Sequence, residues 1–155
     1  MNNWFVYKTF DAASKAAADF MADLIQTSIR HKGECHVILP GGDAPVICLG
    51  YLADKKLFWH KVHWYLGDER CYPQGHMGRN DILLKKTFWS RLSHTNVYSI
   101  PVELGVEKAA QLYDELISSI EHFDIAFLGM GEDGHTASLF PDNEALNDVR
   151  AVVPV

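Results

Sequence analysis

Apolar residues along the chain fall into short blocks whose spacing switches between the period of a strand and that of a helix. Residues 2–9, NNWFVYKT, alternate in part and predict a strand. From Asp11, a candidate N-cap, to about His31, the positions Ala13, Ala17, Phe20, Leu24 and Ser28 recur at helical spacing, flanked by Met21, Ile25 and Ile29. Lys32–Gly33 supplies the stop signal. CHVILP (35–40) predicts a short buried strand, GGDAP breaks it, and Pro45 suits the first turn of a helix to about Ala53. KVHWYLG (61–67) predicts a further strand, followed by a polar loop over 68–79 and a helix from about Asn80 to Arg91. NVYSI (96–100) predicts a short strand, and Val106, Ala109, Ala110, Tyr113, Leu116, Ile117 and Ile120 mark a helix over 106–121. FDIAFLGM (123–130) predicts a strand, and VRAVVPV begins one more. Strands alternating with helices predict an α/β fold: a mostly parallel sheet with helices on both faces.

Length and composition narrow this picture. A chain of 155 residues, 48% hydrophobic and 22% charged, predicts one domain over 1–155 with a core that needs no disulfide staples. Net charge is −6, which argues against a general binder of nucleic acid or anionic membrane and requires a local positive site for any anionic ligand. Cys35, Cys48 and Cys71 are odd in number and scattered, and the N-terminus has no signal-peptide pattern, so the chain reads as a reduced, cytoplasmic protein. His31, Cys35 and His36 are close in sequence but straddle a helix end and a strand start, and no metal site is expected there.

In parallel α/β sheets, ligands sit beyond the C-terminal ends of the strands. Three polar, glycine-bearing loops occupy that position: 40–45, 67–80 and 129–141. In LPGGDAP, the amides of Gly41 and Gly42 can approach an anion at a helix start, or the loop is a tight turn with Asp43 as helix cap. Because its carboxylate would compete with a phosphate for the same amides, Asp43 is expected to turn back and cap the helix. In LGDERCYPQGHMGRN, Arg70 can hold phosphate in a fork, with Arg79 assisting, or can pair with Asp68 or Glu69. In FLGMGEDGHTASLFPDN, Gly131 and Gly134 permit close approach to a ligand, His135 is the residue type suited to a general base, and Asp133 can orient it. No GxSxG elbow occurs and Ser138 has no evident triad partners, so acid–base chemistry on a small phosphorylated substrate is favoured over an acyl-serine route.

Together the loops resemble the 6-phosphogluconolactonase family. FDIAFLGMGEDGHTASLFP is similar to that family's signature, WYLGDERCYP to its second motif and LPGGDAP to its glycine loop. Arg70, and GHTASLFP at Gly134–Pro141, distinguish the chain from the related glucosamine-6-phosphate deaminases. The resemblance implies a Rossmann-like three-layer sandwich lacking its C-terminal third here, since family members continue with a lysine and an arginine that contact phosphate. It implies hydrolysis of 6-phospho-D-glucono-1,5-lactone to 6-phosphogluconate in the oxidative pentose phosphate pathway, without cofactor or metal. His135 and Asp133 would be catalytic, and Gly41, Gly42, Asp43, Asp68, Arg70, Gly131 and Gly134 would contact substrate. Asp43–Ala44 stands where the family has Ser–Thr. The alternatives are a sugar-phosphate isomerase or deaminase of the same superfamily and a non-catalytic sugar-phosphate-binding fragment. The expected partner is a small phosphosugar lactone, not nucleic acid or membrane, bound by a monomer or weak homodimer.

Overall fold

A computed structural model describes residues 3–155. Four helices and four strands alternate: α1 (Phe10–Lys32), β1 (Cys35–Leu39), α2 (Val46–Ala53), β2 (Val62–Leu66), α3 (Asn80–Thr87), β3 (Asn96–Tyr98), α4 (Val106–Ile117) and β4 (Ile125–Ala126). The sheet is wholly parallel, in the order β3-β2-β1-β4. From β1 the chain winds outward through β2 to β3, then crosses back to place β4 on the other side of β1. The switch point, where such sheets bind ligands, therefore lies between β1 and β4.

Period-two alternation decides the two faces of the sheet. Cys35, Val37 and Leu39 of β1, with Val62, Trp64 and Leu66 of β2, are buried on one side. Trp64 packs edge-on to Phe88 at 5.1 Å just beyond α3, and α1 packs against α2 and β1. The other face carries His36, Ile38, His63 and Tyr65, and α4 crosses it with Ala109, Ala110 and Tyr113 turned inward. Tyr113 also ties α4 to the end of β2: its hydroxyl accepts from the Leu66 N–H at 2.9 Å and donates to the Leu66 carbonyl at 3.1 Å. Cys35 and His36 thus point to opposite faces. Burial drives the Cys35 thiol up to about 12.

Several sequence expectations shift. Residues 3–9 form no strand, and Asn2 lies outside the described residues. No neighbouring strand pairs with this segment, and Trp4 stands 89% exposed. Thr9, not Asp11, caps α1, its hydroxyl accepting from the Ala12 N–H at 3.1 Å. The buried stripe of α1 is Ser14, Ala18, Met21, Ala22, Ile25, Ser28 and Ile29, so Phe20 faces out at 60% exposure. Gly33 ends α1 as expected, at φ 90° with its N–H on the Ile29 carbonyl. α3 stops at Thr87 because Phe88 leaves helical geometry (φ −130°, ψ −66°) as its ring enters the core; Trp89–Arg91 is a separate 3₁₀ turn. β4 is only two residues long, with a single partner strand, although Asp124 and Phe127 extend its ladder through the His36 and Ile38 carbonyls. Residues 149–155 form no strand. No helix among the described residues is long and apolar enough to cross a membrane.

Candidate active site

β2, β1 and β4 are adjacent, so the loops that leave their C-terminal ends emerge on one rim of the sheet. The sequence expects these three loops to converge, and the topology brings them together.

The loop after β1 turns at Gly42 (φ 76°), in the left-handed region that favours glycine. α2 then opens on Pro45, with no side chain capping its first turn. The expected cap by Asp43 does not form. Its main-chain carbonyl, not its carboxylate, accepts from the Val46 N–H at 3.2 Å, closing the turn before the carboxylate can reach a helix amide. Asp43 is exposed.

The loop after β2 divides its charges. Glu69 turns inward and accepts the N–H groups of Arg70 (2.7 Å), Asn80 (2.6 Å) and Asp81 (2.9 Å). Burial pushes its carboxyl up and these three donors pull it down, with burial prevailing. Arg79 is 3% exposed and locked to Asp81 (2.8 Å), Glu103 (2.8 Å) and the Ile100 carbonyl (3.3 Å). It therefore cannot assist Arg70. Arg70 is exposed, and its guanidinium enters no hydrogen bond or ion pair among the described residues. The pairing of Arg70 with Asp68 or Glu69 that the sequence leaves open is not formed. Asp68 gives one carboxylate oxygen to the Asn80 amide (3.2 Å) and the other to the Ser138 hydroxyl (2.7 Å).

The loop after β4 folds tightly on itself. The Gly131 N–H donates to the His135 carbonyl at 2.8 Å, the Gly134 N–H to the Gly131 carbonyl at 3.0 Å, and the Thr136 hydroxyl to the Gly129 carbonyl at 2.9 Å. Gly134 sits at φ 87°, and a Cβ on Gly131 would lie 2.2 Å from the His135 ring. These glycines thus let the histidine fold back over its own loop. His135 Nδ1 lies 2.5 Å from Asp133 Oδ1, and the ring rests against Phe140 with centroids 4.6 Å apart. The hydrogen bond from His135 holds the Asp133 carboxyl below the usual carboxylate range. An ionised Asp133 accepts the Nδ1 proton and leaves the Nε2 lone pair outward, in the tautomer a general base needs. His135 Nε2 has no partner among the described residues.

A cavity of about 250 Å³ lies beneath these loops, bounded by Tyr65, Tyr113, Val102 and the Val152–Val155 segment, with Asp68 and Ser138 at its rim. Its lining is mostly apolar and includes neither His135 nor Arg70. Reading from sequence passes over Asn80 as a site residue and weighs Ser138 only as a nucleophile. The signal for Asn80 is a buried asparagine at a helix start, which is invisible before burial is known.

The chain matches the family described as glucosamine-6-phosphate isomerases/6-phosphogluconolactonase over residues 8–155. It is 35% identical to a 6-phosphogluconolactonase of Thermotoga maritima over 129 residues, 79% of this chain and 59% of that protein. It is 36% identical to one from Pseudomonas putida over 142 residues, 88% of this chain and 58% of that protein. The crystal structure of a 6-phosphogluconolactonase from Shewanella baltica superposes with a TM-score of 0.83 at 27% identity, covering 91% of this chain and 62% of that one. The chain thus spans about three fifths of the length of the relatives it matches.

Proposed function

Because the chain belongs to the glucosamine-6-phosphate isomerase/6-phosphogluconolactonase family, we propose that it hydrolyses 6-phospho-D-glucono-1,5-lactone to 6-phosphogluconate with His135 as general base. His135 Nε2 takes a proton from a water molecule as its oxygen bonds to the lactone carbonyl carbon. The carbonyl becomes an oxyanion, which backbone N–H groups of the glycine loops can stabilise. Collapse breaks the bond to the ring oxygen, which leaves with the proton held on Nε2. Asp133 keeps Nδ1 protonated throughout and stabilises the transient imidazolium. The uncommitted guanidinium of Arg70 and the amides of Gly41 and Gly42, in the turn that leads into α2, receive the 6-phosphate. Asp43 shares that loop, with its carboxylate free. Asp68 supports the site from behind, since both its oxygens are taken by protein groups.

The observation that carries this reading is the Asp133–His135 contact, which fixes the tautomer and leaves Nε2 unpartnered. Replacing the base removes a step worth ~10²–10⁴-fold in rate. His135→Ala should lower lactone hydrolysis by that factor, after subtraction of the spontaneous reaction, with an unchanged far-ultraviolet circular dichroism spectrum. A variant retaining more than half of the parent rate would remove His135 from the mechanism.

A further inference from the structure

One buried asparagine touches two of the three loops and reaches the third through Asp68. Asn80 is 3% exposed at the first turn of α3. Its side-chain amide donates to the Asp68 carbonyl at 3.1 Å and to Asp68 Oδ1 at 3.2 Å. The same amide fills the space beside Gly41: a Cβ there would stand 2.1 Å from its Cγ and Oδ1. The other oxygen of Asp68 accepts from Ser138 at 2.7 Å, across seventy positions of sequence. Ser138 follows Ala137, which holds φ 51°, a conformation a non-glycine residue keeps only when its surroundings enforce it. That turn continues directly from His135 through Thr136, and a short bridge between Thr136 and Leu139 closes it.

We propose that Asn80 is a positioning residue for the reaction, acting through Asp68 and Ser138 to set the loop that carries His135 against the loop that carries Gly41 and Gly42. The Asn80 end of the relay is fixed. Glu69 holds the main chain of Asn80, and Gly41 packs on its side chain, so the amide cannot swing away. Each link is a directed donor–acceptor pair. An amide supplies both a donor to Asp68 and a flat face to Gly41, whereas an aspartate at the same position would set two carboxylates against each other. The inference rests on the lactonase reading for its effect on turnover, but the relay itself can be measured without turnover.

The test uses Asn80→Ala, Ser138→Ala and the double variant, each checked for folding by thermal denaturation. Amide hydrogen exchange at Gly131 and Gly134 reports the order of the His135 loop directly, because their N–H groups close that loop. Each single variant should raise exchange at these two amides at least tenfold. The double variant should do no more than the worse single one, as members of one relay behave. Turnover should fall at least tenfold in kcat, with KM within about threefold. Unchanged exchange in Ser138→Ala, which removes only a half-buried hydroxyl, would overturn the relay, as would additive effects in the double variant. If the parent chain itself shows no turnover, the lactonase reading fails, and the exchange measurement still decides the relay.

Discussion

Two arginines from the loop after β2 have opposite fates, and side-chain partners alone explain the difference. Arg79 lies inside a cage of three carboxylates, Glu69, Asp81 and Glu103, and a carbonyl, so its charge is neutralised before any ligand arrives. Arg70, nine positions earlier in the same polar segment, makes no side-chain hydrogen bond or ion pair among the described residues. Arg70→Ala should therefore cost about 1.5–3 kcal/mol in affinity for 6-phosphogluconate, with stability unchanged within about 0.5 kcal/mol. Arg79→Ala should do the reverse: it removes a buried guanidinium from a network of partly covered carboxylates and should cost about 1–3 kcal/mol of folding stability. Isothermal titration and urea denaturation of both variants separate the cases. A stability loss in Arg70→Ala equal to that in Arg79→Ala would make Arg70 structural.

Among the elements, β4 is the shortest, yet it delivers the His135 loop to the rim. Asp124, just before it, compensates for its brevity. Its carboxylate accepts from the His36 N–H at 2.8 Å and from the Lys32 ammonium at 2.7 Å, joining the end of α1, the start of β1 and the entry to β4. Burial pushes the Asp124 carboxyl up, but Lys32, the His36 N–H and the Ser28 hydroxyl together bring it below the usual carboxylate range. A carboxyl whose folded pKa is depressed contributes stability above its unfolded pKa and loses it as the pH falls through the folded value. Asp124→Ala should thus lose about 1.5–3 kcal/mol at pH 7, and the gap from the parent should narrow below about pH 4. Urea midpoints measured from pH 7 to pH 3 follow this. A gap that stays constant over the whole range would assign the loss to packing, not to the charge.

Across the whole molecule, the site is made from three loops on separate strands, so a ligand that bridges them is coupled to global folding. A ligand at a hundred times its Kd stabilises the folded state by about 2.7 kcal/mol, a rise in Tm of roughly 5–10 °C for a chain of this size. 6-Phosphogluconate should produce that shift, and gluconate, which lacks the phosphate, should not at the same concentration. Equal shifts from both would mean that the phosphate is not what the three loops recognise.

The order of strands and helices, the three rim loops and the glycine-rich turn around His135 were legible in the sequence. Each rests on local chemistry: apolar periodicity, glycine at positive φ, and breakers between blocks. The ends of elements were less legible. α3 stops where Phe88 finds a core pocket against Trp64, and the segment over 3–9 fails to become a strand because a strand needs a neighbour, which no local pattern supplies. The buried stripe of α1 is rotated from the expected one, leaving Phe20 in solvent, because the face that is buried depends on where α2 lies. The charged loops were the least legible. Asp43, Asp68, Arg70 and Arg79 are all polar residues in turns, and their sequence patterns permit either a ligand or a protein partner. Only the tertiary structure shows that Pro45 opens α2 without the Asp43 carboxylate, that Asp68 belongs to Asn80 and Ser138, and that Arg79 is caged while Arg70 is free. The physical reason is range: backbone preferences act over a few residues and are written in order along the chain, whereas the partner of a charge is set by whatever folding brings within 3 Å of it.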